Sequence, residues 1–133
     1  MNKIYTHLFF LTMAFLLFSV GCKPKRTSPN ERNEISVGET FQIRIKENPS
    51  TGYENCWINK KDAQAVSLVK KEYKQEGSSD CAGCGGTATF TFKGISAGTD
   101  TIKLVNCPGP RNNESCDECS EEGEATKFVA VVK

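Results

Sequence analysis

The sequence predicts an all-β fold, a sandwich of about seven short strands. Three observations predict it. Apolar residues recur with period two, at Phe41, Ile43 and Ile45 against Gln42, Arg44 and Lys46, and again at Ala88, Phe90 and Phe92 against Thr87, Thr89 and Thr91. Such runs carry one buried and one wetted face. Clusters of Gly, Pro, Ser and Asn separate the runs at the spacing of a sandwich, and no amphipathic helix of useful length emerges. The specific expectation is an immunoglobulin-like β-sandwich, preceded by a lipoprotein signal peptide.

Residues 1–21 read as that signal peptide. Lys3 and His7 precede an apolar run from Leu8 to Leu17, extended by Phe18 and Val20, which is short for a membrane span and sits where a secretory h-region would. Ser19-Val20-Gly21-Cys22 closes it in the manner of a bacterial lipobox, which makes Cys22 the lipidated first residue of the mature chain. The plain alternative is ordinary secretion with Cys22 free. Residues 22–34 are polar, with Pro24 and Pro29, and read as a flexible tether. Residues 35–133 form the sandwich domain.

Within the domain, the predicted strands are Ile35 to Val37, Thr40 to Lys46, a segment opening at Trp57-Ile58, Val66 to Tyr73, Thr87 to Phe92, Thr101 to Val105, and Phe128 to Val132. Trp57 stands at a strand start and reads as core. Asn106 to Thr126 is a long connection holding Glu114, Asp117, Glu118, Glu121, Glu122 and Glu124, read as a solvated acidic loop.

Charge and residue inventory exclude several functions. Without Lys3 the mature chain carries 16 basic and 16 acidic residues, and no basic face emerges, so no nucleic-acid partner is expected. The single histidine of the chain is His7, inside the segment to be removed. No Ser-His or Cys-His nucleophile can therefore be assembled, and no enzyme is expected. The expected state is a monomer without cofactor.

Cysteine is the unusual signal. Besides Cys22 there are Cys56, Cys81, Cys84, Cys107, Cys116 and Cys119, an even number in a small exported chain, which favours disulfides. Cys81-x-x-Cys84 and Cys116-x-x-Cys119 also have zinc-knuckle spacing, so a zinc module stays as an alternative. The 31 residues between Cys84 and Cys116 exceed ribbon spacing, and an oxidising compartment favours bridges, so no metal is the preferred reading. A thioredoxin-like role is weaker, because Cys84 is followed by a strand and not by a helix whose N-terminus lowers a thiol pKa.

The stretch Asn48-Pro49-Ser50-Thr51-Gly52-Tyr53 interrupts the first clean alternation. Pro49 fixes its own φ and biases Asn48 away from the helical region, while Gly52 is free to take positive φ, so the chain must bend. Alone it is a turn. Together with Gly83-Cys84-Gly85-Gly86-Thr87 ahead of Phe90 and Phe92, it resembles, in order and spacing, two signatures of the chagasin family of cysteine-protease inhibitors. Gly98 to Leu104 and Phe128 to Val132 are similar to that family's later strands, so the resemblance covers about residues 35–133.

The resemblance implies a reversible inhibitor of papain-like cysteine proteases that inserts three loops from one end of a sandwich into the active-site cleft. It assigns protease contact to Asn48, Pro49, Ser50, Thr51, Gly52 and Tyr53, to Gly83, Gly85 and Gly86, and to Pro108, Gly109, Pro110 and Arg111. At the last of these the family's Arg-Pro-aromatic run is missing, and Cys107-Pro108-Gly109-Pro110-Arg111 stands in its place. The alternative is an envelope binding module of the same fold that inhibits no protease. With Cys22 the expected location is a bacterial cell envelope, periplasmic or at the cell surface, on a membrane held through the lipid anchor.

For the bridges, the strand reading brings Cys56 and Cys107 to neighbouring strand ends, and a Cys56 to Cys107 bridge is expected. Cys81, Cys84, Cys116 and Cys119 can pair locally or across the loops. Cross-loop pairing is favoured, because the entropy gain from closing a two-residue spacer is small.

Overall fold

The computed structural model describes residues 24–77, 81–108, 116, 119 and 124–133. Eight strands among them form two four-stranded sheets. In chain order they are β1 (Lys25–Arg26), β2 (Arg32–Ile35), β3 (Thr40–Glu47), β4 (Tyr53–Trp57), β5 (Val66–Gln75), β6 (Gly86–Gly94), β7 (Gly98–Pro108) and β8 (Thr126–Val132). One sheet runs β1-β3-β6-β5 and the other β2-β8-β7-β4. The all-β sandwich expected from the period-two pattern is the observed fold. The signal-peptide residues 1–21 and Cys22 lie outside the described residues.

The predicted alternation survives in β3 and β6. β3 pairs antiparallel with β6 so that Phe41 faces Phe92, Ile43 faces Phe90 and Ile45 faces Ala88. Paired residues share a face, and this face is the core. Phe41 stacks on Phe92 with centroids 5.4 Å apart, and Trp57 meets Phe92 edge-on at 5.1 Å. From the opposite sheet come Ile102, Leu104, Phe128, Ala130 and Val132, all buried. Trp57 is half-buried against this cluster, with its indole N–H donating to Asn59 Oδ1 at 3.0 Å.

Three boundaries differ from the sequence reading. The tether assigned to residues 22–34 is shorter, because β1 adds in parallel to β3 and β2 adds in parallel to β8. That addition uses backbone hydrogen bonds, which need no apolar side chain. Asn33 is the one polar side chain of β2 that turns inward. It is buried, with its amide donating to the carbonyls of Glu31 at 2.8 Å and Val129 at 3.2 Å. The predicted strand Ile35 to Val37 ends at Ile35 instead, where Ser36 N–H donates to the Glu39 carboxylate at 2.8 Å and closes a turn. The third strand begins at Tyr53, straight out of the Asn48 loop, rather than near Cys56.

β5 carries a bulge that the sequence pattern conceals. Leu68 pairs with Phe92 and Lys70 with Thr91, so Val69 is the extra residue and the facing of the strand inverts after it. Before the bulge Val66 and Leu68 share the inner face. Beyond it Lys71 pairs with Phe90 and Tyr73 with Ala88. An ammonium is thereby turned toward the interior, 5.3 Å from the centroid of the Phe90 ring. Val69 is left in solvent on an edge strand.

Candidate functional site

Three connections gather at one end of the sandwich: Asn48 to Gly52 between β3 and β4, Gly77 to Gly85 between β5 and β6, and the end of β7. The first is built from its own residues. Pro49–Thr51 form one 3-10 turn, with Thr51 N–H donating to the Asn48 carbonyl at 3.1 Å and Gly52 N–H to the Pro49 carbonyl at 2.9 Å. Thr51 Oγ1 donates to that same Asn48 carbonyl at 2.7 Å, and Ser50 Oγ to Asn48 Oδ1 at 2.7 Å. Gly52 ends the turn at φ 79°, a conformation that a side chain makes costly. Pro49, Ser50, Thr51, Gly52 and Tyr53 are all exposed.

The second loop leans on the first. Asn48 Nδ2 donates to the Gly83 carbonyl at 3.1 Å, and Gly85 lies so close that an added Cβ would stand 3.2 Å from the Glu47 carbonyl oxygen. At Gly86 an added Cβ would collide with the Lys74 carbonyl and come within 2.8 Å of Gln75 Cα. Glycine is therefore required where β6 leaves the loop. An open cleft of about 740 Å³ remains between the two loops, its wall including Asn48, Thr51, Glu76, Cys84, Gly85 and Asn106.

Of the third group, Pro108 pairs with Tyr53 across β7 and β4, so it stands beside the first loop and is exposed. Gly109, Pro110 and Arg111 lie outside the described residues, as do Glu114, Asp117, Glu118, Glu121 and Glu122 of the acidic stretch.

Beneath the first loop is a polar cluster that the sequence reading missed. Glu47 is the last residue of β3 and its side chain is 2% exposed. Its carboxylate accepts from Asn55 N–H at 2.6 Å and Asn55 Nδ2 at 3.2 Å, and lies 3.1 Å from Lys71 Nζ. Lys71 also donates to Glu54 at 2.8 Å and to the Asn55 carbonyl at 2.9 Å, while Asn55 Nδ2 donates to the Lys46 carbonyl at 3.1 Å. Both ends of the loop and the edge strand β5 are thus tied through one buried carboxylate. A signal was present in the period. Phe41, Ile43 and Ile45 point inward, and Glu47 is next on that face.

At the base of the second loop, Lys46 Nζ reaches the Glu76 carboxylate at 2.5 Å and Thr87 Oγ1 donates to it at 2.7 Å. The lysine, and then the threonine hydroxyl, hold the Glu76 carboxyl below the ordinary glutamate range. Glu76 N–H donates in turn to the Gly85 carbonyl at 3.0 Å.

The six cysteines are all bridged, in a pattern that corrects the expected one. Cys56 joins Cys116 with Cα atoms 5.6 Å apart, and Cys107 joins Cys119 at 5.9 Å. Cys56 is not bonded to Cys107. In the β4–β7 register Cys56 faces Val105, and Cys107 faces Glu54, so the two are diagonal neighbours, farther apart than a directly opposed pair. Both lie with Val105 in a small second core, packed by Ile58, Cys116, Cys119 and Ala125. The favoured cross-loop pairing is also replaced: Cys81 bonds Cys84 locally, Cα to Cα 5.5 Å, within the second loop. The sulfurs of Cys56, Cys107 and Cys119 lie within 4.8 Å of one another. This convergence is not the knuckle pair that the spacing suggested, and sulfurs bonded in pairs offer no thiolate to a metal.

The model of the chagasin family peptidase inhibitors I42 matches residues 34–119. No curated protein matches the chain in sequence. Among solved structures, the ICP of Leishmania mexicana is 26% identical, with TM-score 0.51, covering 84% of this chain and 90% of its own. The cysteine protease inhibitor EhICP2 of Entamoeba histolytica is 24% identical, with TM-score 0.58, covering 83% and 88%. The solution structure of Amebosin is 21% identical, with TM-score 0.58, covering 84% and 100%. The last two bear on the fold.

Proposed function

Because the chain belongs to the chagasin family of peptidase inhibitors, we propose that it is a reversible inhibitor of papain-like cysteine proteases acting through the loop end of the sandwich. One observation carries the reading: the exposed 3-10 turn Pro49–Thr51, closed on Asn48 and fastened to Gly83 of the second loop. A cleft that cleaves extended peptides can be filled by such a turn without receiving a strand-like backbone. Because the turn is held by its own hydrogen bonds and by the polar cluster beneath it, little conformational freedom is lost on docking. Thr51 and its neighbours fill the centre of the contact, Gly83 and Gly85 let backbone approach one wall, and Pro108 approaches the other.

Thr51→Asp tests this. A carboxylate placed in a desolvated contact is expected to weaken inhibition by about 2 to 4 kcal/mol. An unchanged inhibition constant against a panel of papain-like enzymes would remove the first loop from the contact. A panel with no inhibition by the parent protein would favour the binding-module alternative.

The proposal extends to location. The h-region ending in Gly21-Cys22 supports an inhibitor lipid-anchored in a bacterial cell envelope, on more than one acyl chain. A Cys22→Ser chain should leave the membrane fraction, and its retention there would refute the anchor.

A further inference from the structure

In the chain-entropy account the Cys81–Cys84 bridge stabilises the fold least of the three, because its loop is the shortest. It closes a ring of sequence separation 3, in a loop already held by the Asn48 amide on the Gly83 carbonyl and by the Gln75 amide on the Cys81 carbonyl at 3.0 Å. Its position is more informative. Cys84 lines the cleft between the two loops, with Asn48 and Thr51 on the facing wall. Ala82 and Gly83 at the ring's tip are exposed, and Cys81 and Cys84 are half-buried, whereas the bridges of Cys56 and Cys107 lie in a packed cluster. Cys116 and Cys119 are half-buried too, but each is bonded to a buried partner, so the bridge with neither cysteine buried is the one at the inhibitory end.

We propose that this bridge is an electrophile for the catalytic cysteine of the bound protease, so that docking is followed by a reversible covalent latch. The inference rests on the function proposed above, which brings that cysteine to the first loop. Papain-like enzymes keep their cysteine as a thiolate through a histidine, and the thiolate is the species that attacks a disulfide. The enzyme's sulfur attacks Cys84 Sγ. A bond forms between the two sulfurs, the Cys81–Cys84 bond breaks, and Cys81 leaves as a thiolate that takes a proton from water. One disulfide replaces another, so no external oxidant or reductant enters. Once Cys81 returns that proton to water, its thiolate, three residues from Cys84 in the opened loop, reverses the step by attacking Cys84 Sγ and releasing the enzyme thiolate.

The experiment mixes the full-length oxidised chain with papain that has been activated and freed of reductant, then reads intact mass without reduction. The expected result is a species at the summed mass of the two proteins, lost with dithiothreitol and reduced at least tenfold when papain is first carbamidomethylated. Peptide mapping of that species should join the papain cysteine to Cys84. A C81A/C84A chain should form none. Inhibition with no adduct would overturn the latch and leave the functional reading standing. Absence of inhibition, with dithiothreitol and without it, would overturn both. An adduct mapped to Cys56, Cys107, Cys116 or Cys119 would overturn the assignment. So would free cysteine, at the concentration of papain, opening the bridge as fast as papain does, since directed placement would then contribute nothing.

Discussion

Lys71→Met isolates the buried cluster beneath the first loop. Methionine keeps most of the apolar stem over Phe90 and removes the ammonium, which stands 3.1 Å from Glu47 and 2.8 Å from Glu54. The Glu47 carboxylate, 2% exposed, is then left with only the Asn55 N–H at 2.6 Å and the Asn55 amide at 3.2 Å. Removing one partner of a fully buried pair costs about 3 to 5 kcal/mol. Here the Lys71 and Glu54 side chains are each 25% exposed, so solvent screens part of the interaction and the expected loss is about 2 to 3 kcal/mol. That is a large share of the roughly 5 to 15 kcal/mol typical of a whole domain. Urea unfolding with the bridges intact reads it directly. With a slope of about 1.5 kcal/mol/M, the midpoint should fall by roughly 1.3 to 2 M. Glu47→Gln and the double variant complete a cycle. Since the damage in Lys71→Met is an unpaired buried charge, the double variant should be less destabilised than the sum by about 1 kcal/mol or more. A midpoint within about 0.3 M of the parent, or an additive cycle, would refute the claim that Glu47 needs Lys71.

The remaining two predictions concern bridges and acid. In the chain-entropy account, deleting the bridge of sequence separation 60 as C56A/C116A should cost about 4 kcal/mol, against about 2 kcal/mol for the separation of 3 in C81A/C84A. Equal unfolding midpoints for the two double variants would contradict the observed connectivity. Glu76 and Glu34 have carboxyls held below the ordinary glutamate value, first by hydrogen bonds from Lys46 and Lys133 respectively. A depressed folded value stabilises the protein above the unfolded pKa, so this contribution is complete above about pH 4.5 and is lost as pH falls through the lower folded value. Carboxyl titration by NMR should show Glu76 returning toward its ordinary value in Lys46→Met. No movement would remove Lys46 as the cause.

The layer architecture and much of the core were determined by sequence alone. Period two is a property of the extended backbone, so Phe41, Ile43, Ala88, Phe90 and Phe92 declare a common face before any partner strand is known. The first loop was legible for the same local reason: Pro49 and Gly52 restrict or free their own φ, and the turn they force needs no distant contact. The bulge at Val69 was decided by pairing with β6, because an extra residue changes which side chains face inward only relative to a neighbouring strand. With it came the placement of Lys71 against Glu47, a contact between positions 24 residues apart in sequence. The bridges followed the same rule. An even number announced that the cysteines pair, but a bond forms only between sulfurs brought within a few ångströms. It was the β4–β7 register, setting Cys56 opposite Val105 instead of Cys107, that left Cys56 to Cys116 and Cys107 to Cys119, two residues packed against that small second core.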